Sequence, residues 1–169
     1  MSTTTTTTRG AQGVTTVNSS TRPECHAPSG YSVKDYSGAN GARDRQRAMI
    51  LAFWEAQGVA RWQGDIANGG GSRWYVRDMV NGGDTWLPIA RQGEDSRADR
   101  AEFSHVRSTA NGGAWCACNL LPESGATNAA RGDSDVSDLS PSARALLAAW
   151  PTWWRANVAR KASLARLDA

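Results

Sequence analysis

The sequence predicts an α+β fold, in which a strand–strand–helix core carries an added β-hairpin and flanking helices. Three patterns predict it: apolar residues at helical spacing in residues 43–57, aromatic and β-branched runs around a glycine turn in residues 74–89, and a strand–loop–strand–helix pattern in residues 101–133. With 169 residues, one ordinary domain is expected. We divide it into a disordered arm (1–42), a main domain (43–139) and a C-terminal helical segment (140–169).

Composition limits the classes of protein that this chain can belong to. The arm is rich in Thr, Ser and Gly and cannot bury enough apolar surface to order itself. No apolar run is long enough to cross a membrane and no secretory signal is present, so we expect a cytoplasmic protein without a membrane partner. Of the 19 basic residues two are lysine, which leaves 17 arginines. Arginine suits phosphate, although a GC-rich genome produces the same bias.

Three cysteines, an odd number, argue against a disulfide-stapled secreted domain and predict reduced thiols. The adjacent Cys25 and His26 could bind a metal together with Cys116 and Cys118. The spacing fits no common zinc module, so two unrelated thiols and an exposed histidine are favoured.

The elements before the core follow from local patterns. Residues 43–57 predict a helix that Gly58 ends, and residues 59–73 read as a glycine-rich linker. Residues 74–80 and 85–89 predict the hairpin, and residues 92–100 a solvated loop.

After the core, Ser140 and Pro141 mark a helix start. We expect that helix to continue until Pro151 interrupts it and a last helix to begin at Thr152. The basic side of the last helix either lies in water or follows a nucleic-acid backbone.

The core predicts a chemical site. With strands at 101–106 and 115–121 and a helix starting at Thr127, His105, Asn119 and Asn128 converge on one groove. An imidazole accepts a proton from water near neutral pH. A side-chain oxygen binds a hard divalent cation, which stabilises charge on a phosphate.

These residues resemble the HNH nucleases, which share the ββα-metal (His-Me finger) fold. The resemblance rests on an ordered series at the family's spacings: Ser104-His105, Gly112-Gly113, Asn119-Leu120, Asn128 and Arg131-Gly132. It implies that His105 is the general base, that Asn119 holds the histidine loop, and that Asn128 binds a divalent metal, Mg²⁺ or Mn²⁺. From charge and position alone, Arg107 and Arg131 are candidates for phosphate contacts.

The chain departs from the family pattern in two places. Ser104 stands where the family has an acidic metal ligand, so we expect Glu102, or an acidic residue such as Asp133, to help hold the metal; Glu102 is favoured because it shares a strand face with Ser104. Ser124 and Thr127 replace a cysteine pair found in many relatives. No structural zinc is therefore expected.

The resemblance implies a metal-dependent endonuclease that hydrolyses DNA, in the cytoplasm of a bacterial host, with DNA and phage packaging proteins as partners. The alternative is a catalytically weak or inactive DNA-binding or packaging accessory protein that keeps the ββα fold. His105, Asn119 and Asn128 would then be structural side chains.

Overall fold

The computed structural model combines helices with two antiparallel sheets, which confirms the α+β class. It describes residues 26–28, 31, 42–65, 70–90 and 99–159. The elements in chain order are α1 (Ala42–Ala56), β1 (Ala60–Asp65), β2 (Gly70–Arg77), β3 (Trp86–Pro88), β4 (Ala101–His105), β5 (Leu120–Ser124), α2 (Gly125–Arg131) and α3 (Pro141–Trp154).

Helix α1 forms the centre of the hydrophobic core, as its dense apolar sequence predicts. Trp54 stacks on Phe103 of β4 with ring centroids 4.9 Å apart, and Phe53 meets Trp150 of α3 edge to face at 5.1 Å. The helix ends at Gly58, whose φ of 70° suits glycine. Helix α1 therefore joins the second sheet to the C-terminal helix.

The first sheet contains one strand more than the predicted hairpin. Strand β2 pairs antiparallel with β3, as predicted, but also with β1, in the order β1-β2-β3. The linker prediction for residues 59–73 is therefore wrong. Despite its glycines, the segment has the alternation of a strand. Buried Ala60 faces the core, as does Trp74 of β2, while exposed Arg61 faces away.

The second sheet pairs β4 with β5 antiparallel and leads directly into α2. It is attached to the first sheet by the N–H of Met79, which donates to Pro122 O at 2.9 Å, and by Asp78, whose carboxylate accepts from the N–H of Ser124 at 3.1 Å. These bonds hold the β4–β5 hairpin, and the helix α2 that follows it, against the first sheet.

The second core strand begins later than the predicted 115–121. Residues Ala117–Asn119 form a 3-10 turn, and β5 starts at Leu120. Cys116 and Cys118 form a disulfide across this turn, which corrects the expectation of reduced thiols at these two positions. Alternating Trp and Cys side chains look like a strand in sequence, but here they close a turn.

Helix α3 passes through Pro151 without ending, so the predicted interruption and the new start at Thr152 are wrong. Proline removes one helical hydrogen bond. Burial of Trp150 and its stacking with Trp153 at 5.5 Å hold both sides of Pro151 against the core. The helix then widens into a π-helical turn, Arg155–Ala159.

Most of the predicted arm, with Cys25, lies outside the described residues, and so do residues 160–169 and 91–98. Within the arm, Ala27 donates its N–H to Gln46 at 2.7 Å and Tyr31 packs against the core, where burial raises the pKa of Tyr31 to about 12. None of the helices in the described ranges is long and apolar enough to cross a membrane.

Candidate functional site

One face of the β4–β5 hairpin carries polar side chains beneath α2. Alternation along β4 sends Glu102 and Ser104 to this face, whereas Phe103 points to the core. Strand β5 adds Glu123, the register partner of Glu102. Asn128 and Arg131, one helical turn apart on α2, cover the group. We call these five residues the polar cluster: Glu102, Ser104, Glu123, Asn128 and Arg131.

Arg131 lies at the centre of the polar cluster. Its Nη2 donates to Ser104 Oγ at 2.5 Å, to Glu123 Oε2 at 2.8 Å and to Asn128 Oδ1 at 3.0 Å. Its Nη1 donates to the backbone oxygen of Ser134 at 2.5 Å. The guanidinium predicted to contact phosphate therefore faces inward, with 14% of the side chain exposed. Phosphate contact by Arg131 stays a prediction.

Glu123 is the functional candidate that sequence reasoning missed. Its residue exposure is 0%, yet its carboxylate accepts from Ser104 Oγ at 2.6 Å as well as from Arg131. A carboxylate is rarely buried without such partners. The available signal was a lone acidic residue in the apolar run Leu120–Ser124, but only the strand register shows which face it occupies.

The two favoured metal-ligand candidates from sequence, Glu102 and Asn128, are in direct contact. Asn128 Nδ2 donates to Glu102 Oε2 at 2.7 Å. This bond orients the amide so that Asn128 Oδ1 faces Arg131 and the centre of the cluster. Asp133, the other acidic candidate, is exposed, and its backbone oxygen rather than its carboxylate accepts from Asn111, at 3.5 Å.

His105 ends β4 directly after Ser104, on the side of the strand that carries Phe103, and is half-buried. Its ring meets Trp115 edge to face at 5.4 Å, and Arg43 from α1 covers that tryptophan, with its guanidinium carbon 5.2 Å from the ring centroid. Burial, with a smaller contribution from the positive charge of Arg131, lowers the pKa of His105 below its usual value. Among the described residues, its buried Nε2 has no hydrogen-bond partner. These features favour a neutral imidazole.

Asn119 holds the loop that follows His105. Its Oδ1 accepts from the N–H of Arg107 at 2.9 Å, and its Nδ2 donates to the carbonyls of Arg107 and Ala114, each at 3.0 Å. These are the contacts that a loop-holding residue needs. Arg107, on the loop that Asn119 holds, has an exposed side chain.

The glycine pair serves the same loop. Gly112 adopts a φ of 79°, which favours glycine. Gly113 donates its N–H to Ser108 O at 2.8 Å, and a Cβ at this position would lie 1.8 Å from the carbonyl oxygen of Arg107. The glycine pair and Asn119 thus hold the same loop around Arg107.

Asp135 fastens the other side of this loop. Its Oδ1 accepts from the N–H of Ser108 at 2.8 Å and from Asn111 Nδ2 at 2.9 Å. The hydrogen bond from Asn111, followed by that from Ser108, lowers the pKa of the Asp135 carboxyl. The loop is therefore held from both of its flanks.

Ser124 and Thr127 stand where many members of the family that the sequence resembles have a pair of cysteines. Ser124 caps α2, its Oγ accepting from the N–H of Thr127 at 3.3 Å and lying 2.9 Å from Thr127 Oγ1. A hydroxyl pair thus closes the start of the helix.

The polar cluster offers oxygen atoms of the kinds that a hard divalent cation prefers. Within the described residues no three His, Cys, Asp or Glu side chains gather closely enough to hold a metal among themselves. A cation here would draw on hydroxyl and amide oxygens as well as carboxylate, which suits Mg²⁺ or Mn²⁺ better than zinc.

Comparison of the chain with family profiles, curated proteins and solved structures found no match.

Proposed function

We propose that this protein is a metal-dependent endonuclease of the HNH type, with a ββα-metal core in β4, β5 and α2, that hydrolyses phosphodiester bonds in DNA. One observation carries the proposal: the half-buried His105 imidazole, near enough for the charge of Arg131 to lower its pKa, directly follows Ser104, part of an oxygen cluster that already holds a cation, the guanidinium of Arg131. General base and cation site are the two parts that this hydrolysis requires.

The residues of the site have separate tasks. His105 accepts a proton from the attacking water, and its lowered pKa keeps the imidazole neutral for this purpose. Asn119 fixes the loop that carries Arg107, which is exposed and positioned to meet phosphate. Asn128 and Ser104 would hold Mg²⁺ or Mn²⁺, with Glu102, the other ligand candidate, orienting the Asn128 amide. The metal would stabilise negative charge on the phosphate.

DNA as the substrate is supported by the outer face of the first sheet. The guanidinium carbons of Arg61 and Arg77 lie 4.1 Å and 5.1 Å from the ring centroid of Trp86. Register pairs Trp86 with Arg77 and Arg61 with Tyr75, so these side chains share the face opposite the core. Two cationic groups held over one aromatic ring suit a nucleic-acid backbone.

Incubation of the full chain with supercoiled plasmid and Mg²⁺ or Mn²⁺ tests the proposal. We expect nicked or linear DNA from the wild type and a loss of at least about a hundredfold in rate from His105→Ala, the range that a general base contributes. Arg144→Ala, on the exposed side of α3, is the matched control and should cut normally. Cleavage unchanged in His105→Ala contradicts the assignment.

The second candidate is a DNA-binding or phage packaging accessory protein, located, like the nuclease, in a bacterial host cytoplasm. It is favoured by the cluster's charge balance, because Ser104 is neutral and Glu123 is already paired with Arg131. Tight plasmid binding without cleavage under Mg²⁺, Mn²⁺, Co²⁺ or Ca²⁺ would establish this function instead.

A further inference from the structure

The oxygen atoms around Arg131 Nη2 have the arrangement of a cation site. Ser104 Oγ, Glu123 Oε2 and Asn128 Oδ1 lie 2.5, 2.8 and 3.0 Å from this one nitrogen. A guanidinium Nη carries two N–H groups, so three acceptors exceed its donors. Arg131 Nε meanwhile has no acceptor among the described residues. A spherical ion matches convergent oxygens of this kind better than a planar fork does.

The carboxylate of Glu123 provides an independent indication. Although the residue is fully buried, its Oε1 finds no hydrogen-bond partner within the described part of the chain. Leaving a buried carboxylate oxygen unsatisfied is costly, and such atoms mark a place where an ion or water belongs. One of the two carboxylate oxygens of Glu123 therefore has no partner among the described residues while Arg131 occupies the cluster.

Glu102 completes the geometry without entering the site. By accepting from Asn128 Nδ2 at 2.7 Å, it fixes the amide with its oxygen toward the centre of the cluster. The amide oxygen of Asn128 is thus oriented before any metal arrives, which makes Glu102 a positioning residue.

We propose that Glu123 supplies the negative charge that Ser104 lacks, and that the Arg131 guanidinium is an internal stand-in for the divalent cation. Binding of the metal displaces the guanidinium from Glu123, Ser104 and Asn128 and releases it toward solvent, where a phosphate can bind it. The inference rests on the proposed function. It reconciles the inward position of Arg131 with a role in binding DNA.

Calorimetric titration of Mn²⁺ into the full chain, without DNA, tests this exchange. We expect Arg131→Met to bind Mn²⁺ about tenfold more tightly than the wild type, because a competing positive charge is removed, and Glu123→Gln to bind about tenfold more weakly. Arg144→Met removes an exposed arginine outside the cluster and should bind as the wild type does. Equal or weaker binding by Arg131→Met, or unchanged binding by Glu123→Gln, overturns the inference.

Arg131→Met leaves a buried negative charge and can lose the fold. In that event, Mn²⁺ should restore cooperative thermal unfolding, and failure to restore it overturns the inference. The double variant Arg131→Met/Glu123→Gln removes both charges and should fold and bind Mn²⁺ about tenfold more weakly than Arg131→Met, whereas binding like that of Arg131→Met counts against Glu123.

The outcome is separable from that of the nuclease proposal. If metal affinities change as expected but plasmid stays intact, the cation exchange stands and the nuclease proposal fails. If plasmid is cut and Glu123→Gln binds Mn²⁺ normally, the nuclease proposal stands and the exchange fails.

Discussion

At the scale of single residues, the protonation of His105 follows from its surroundings. Burial first, then Arg131, disfavours the imidazolium, so the pKa lies below 6.5 in the folded chain. The unfolded chain therefore binds the proton more readily. The resulting loss of stability is absent above pH 6.5 and grows as the pH falls through 6.5 toward the folded pKa.

Proton NMR of the metal-free protein measures this shift, because the chain has two histidines. We expect the His105 ring resonance to titrate with a midpoint below 6.5, the usual value. The variant His26→Gln assigns the signals. In Arg131→Met the midpoint should rise only part of the way, since burial is the larger cause. A midpoint at or above the usual value contradicts the expected neutral base.

Gly113 provides a second prediction at this scale. A methyl group there would overlap the Arg107 carbonyl at 1.8 Å, so Gly113→Ala must displace the loop held by Asn119. We expect a loss of roughly 2 kcal/mol in the free energy of unfolding, measured by chemical denaturation. The control Gly83→Ala meets nothing closer than 3.8 Å and should change stability by about 0.5 kcal/mol or less. Equal effects would show that the close approach is not needed.

Residue roles were predictable only where they depend on spacing along the chain. The family resemblance, which rests on the spacing of His105, the glycine pair and Asn119, implied that Asn119 holds the histidine loop, and Asn119 bonds to the backbone of Arg107 on that loop. Glu123 and the inward turn of Arg131 depend on contacts between β4, β5 and α2. No pattern along the sequence shows which residues of β4, β5 and α2 face one another.

At the scale of elements, strong local signals gave correct predictions. Helix α1 has a dense apolar pattern with a glycine end, and α3 has the Ser140–Pro141 start; both were found where expected. Errors arose where tertiary contacts outweighed local preference. Strand β1 forms despite glycines because β2 pairs with it, and α3 continues through Pro151 because Trp150 and Trp153 pack together.

The outer face of the first sheet gives a prediction at this scale. If Arg61 and Arg77 meet DNA phosphates, each change to Ala should weaken binding on any sequence and reduce the dependence of log K on log salt by about 0.9. Trp86→Ala should weaken binding as well, because both guanidinium groups lie over its ring.

Fluorescence anisotropy with a labelled duplex in EDTA measures both quantities while cleavage is suppressed. Arg144→Ala is again the control, since this exposed arginine lies on α3 rather than on the sheet. Wild-type affinity and salt dependence in Arg61→Ala and Arg77→Ala would mean that DNA approaches through another surface.

At the scale of the whole molecule, the C-terminal helix shares its core with the candidate site. Phe53 of α1 contacts Trp150 of α3, and Trp54, the next residue, stacks on Phe103 of β4, the strand that also carries Ser104 and His105. Packing thus runs continuously from α3 through α1 to the strand that carries part of the candidate site. The division at residue 140 describes a change in sequence pattern, whereas these contacts favour a single cooperative unit.

Trp150→Ala tests that cooperativity. Removing a side chain that is 1% exposed should lower the free energy of unfolding by about 3–5 kcal/mol. Because domains are stable by only about 5–15 kcal/mol, the loss should reach β4 and the environment of His105, not α3 alone. Unfolding followed by circular dichroism and by the His105 NMR signal should shift together, whereas Arg155→Ala, exposed after the same helix, should shift neither. A variant in which α3 unfolds while the His105 signal keeps its wild-type transition would instead define the C-terminal helix as an independent segment.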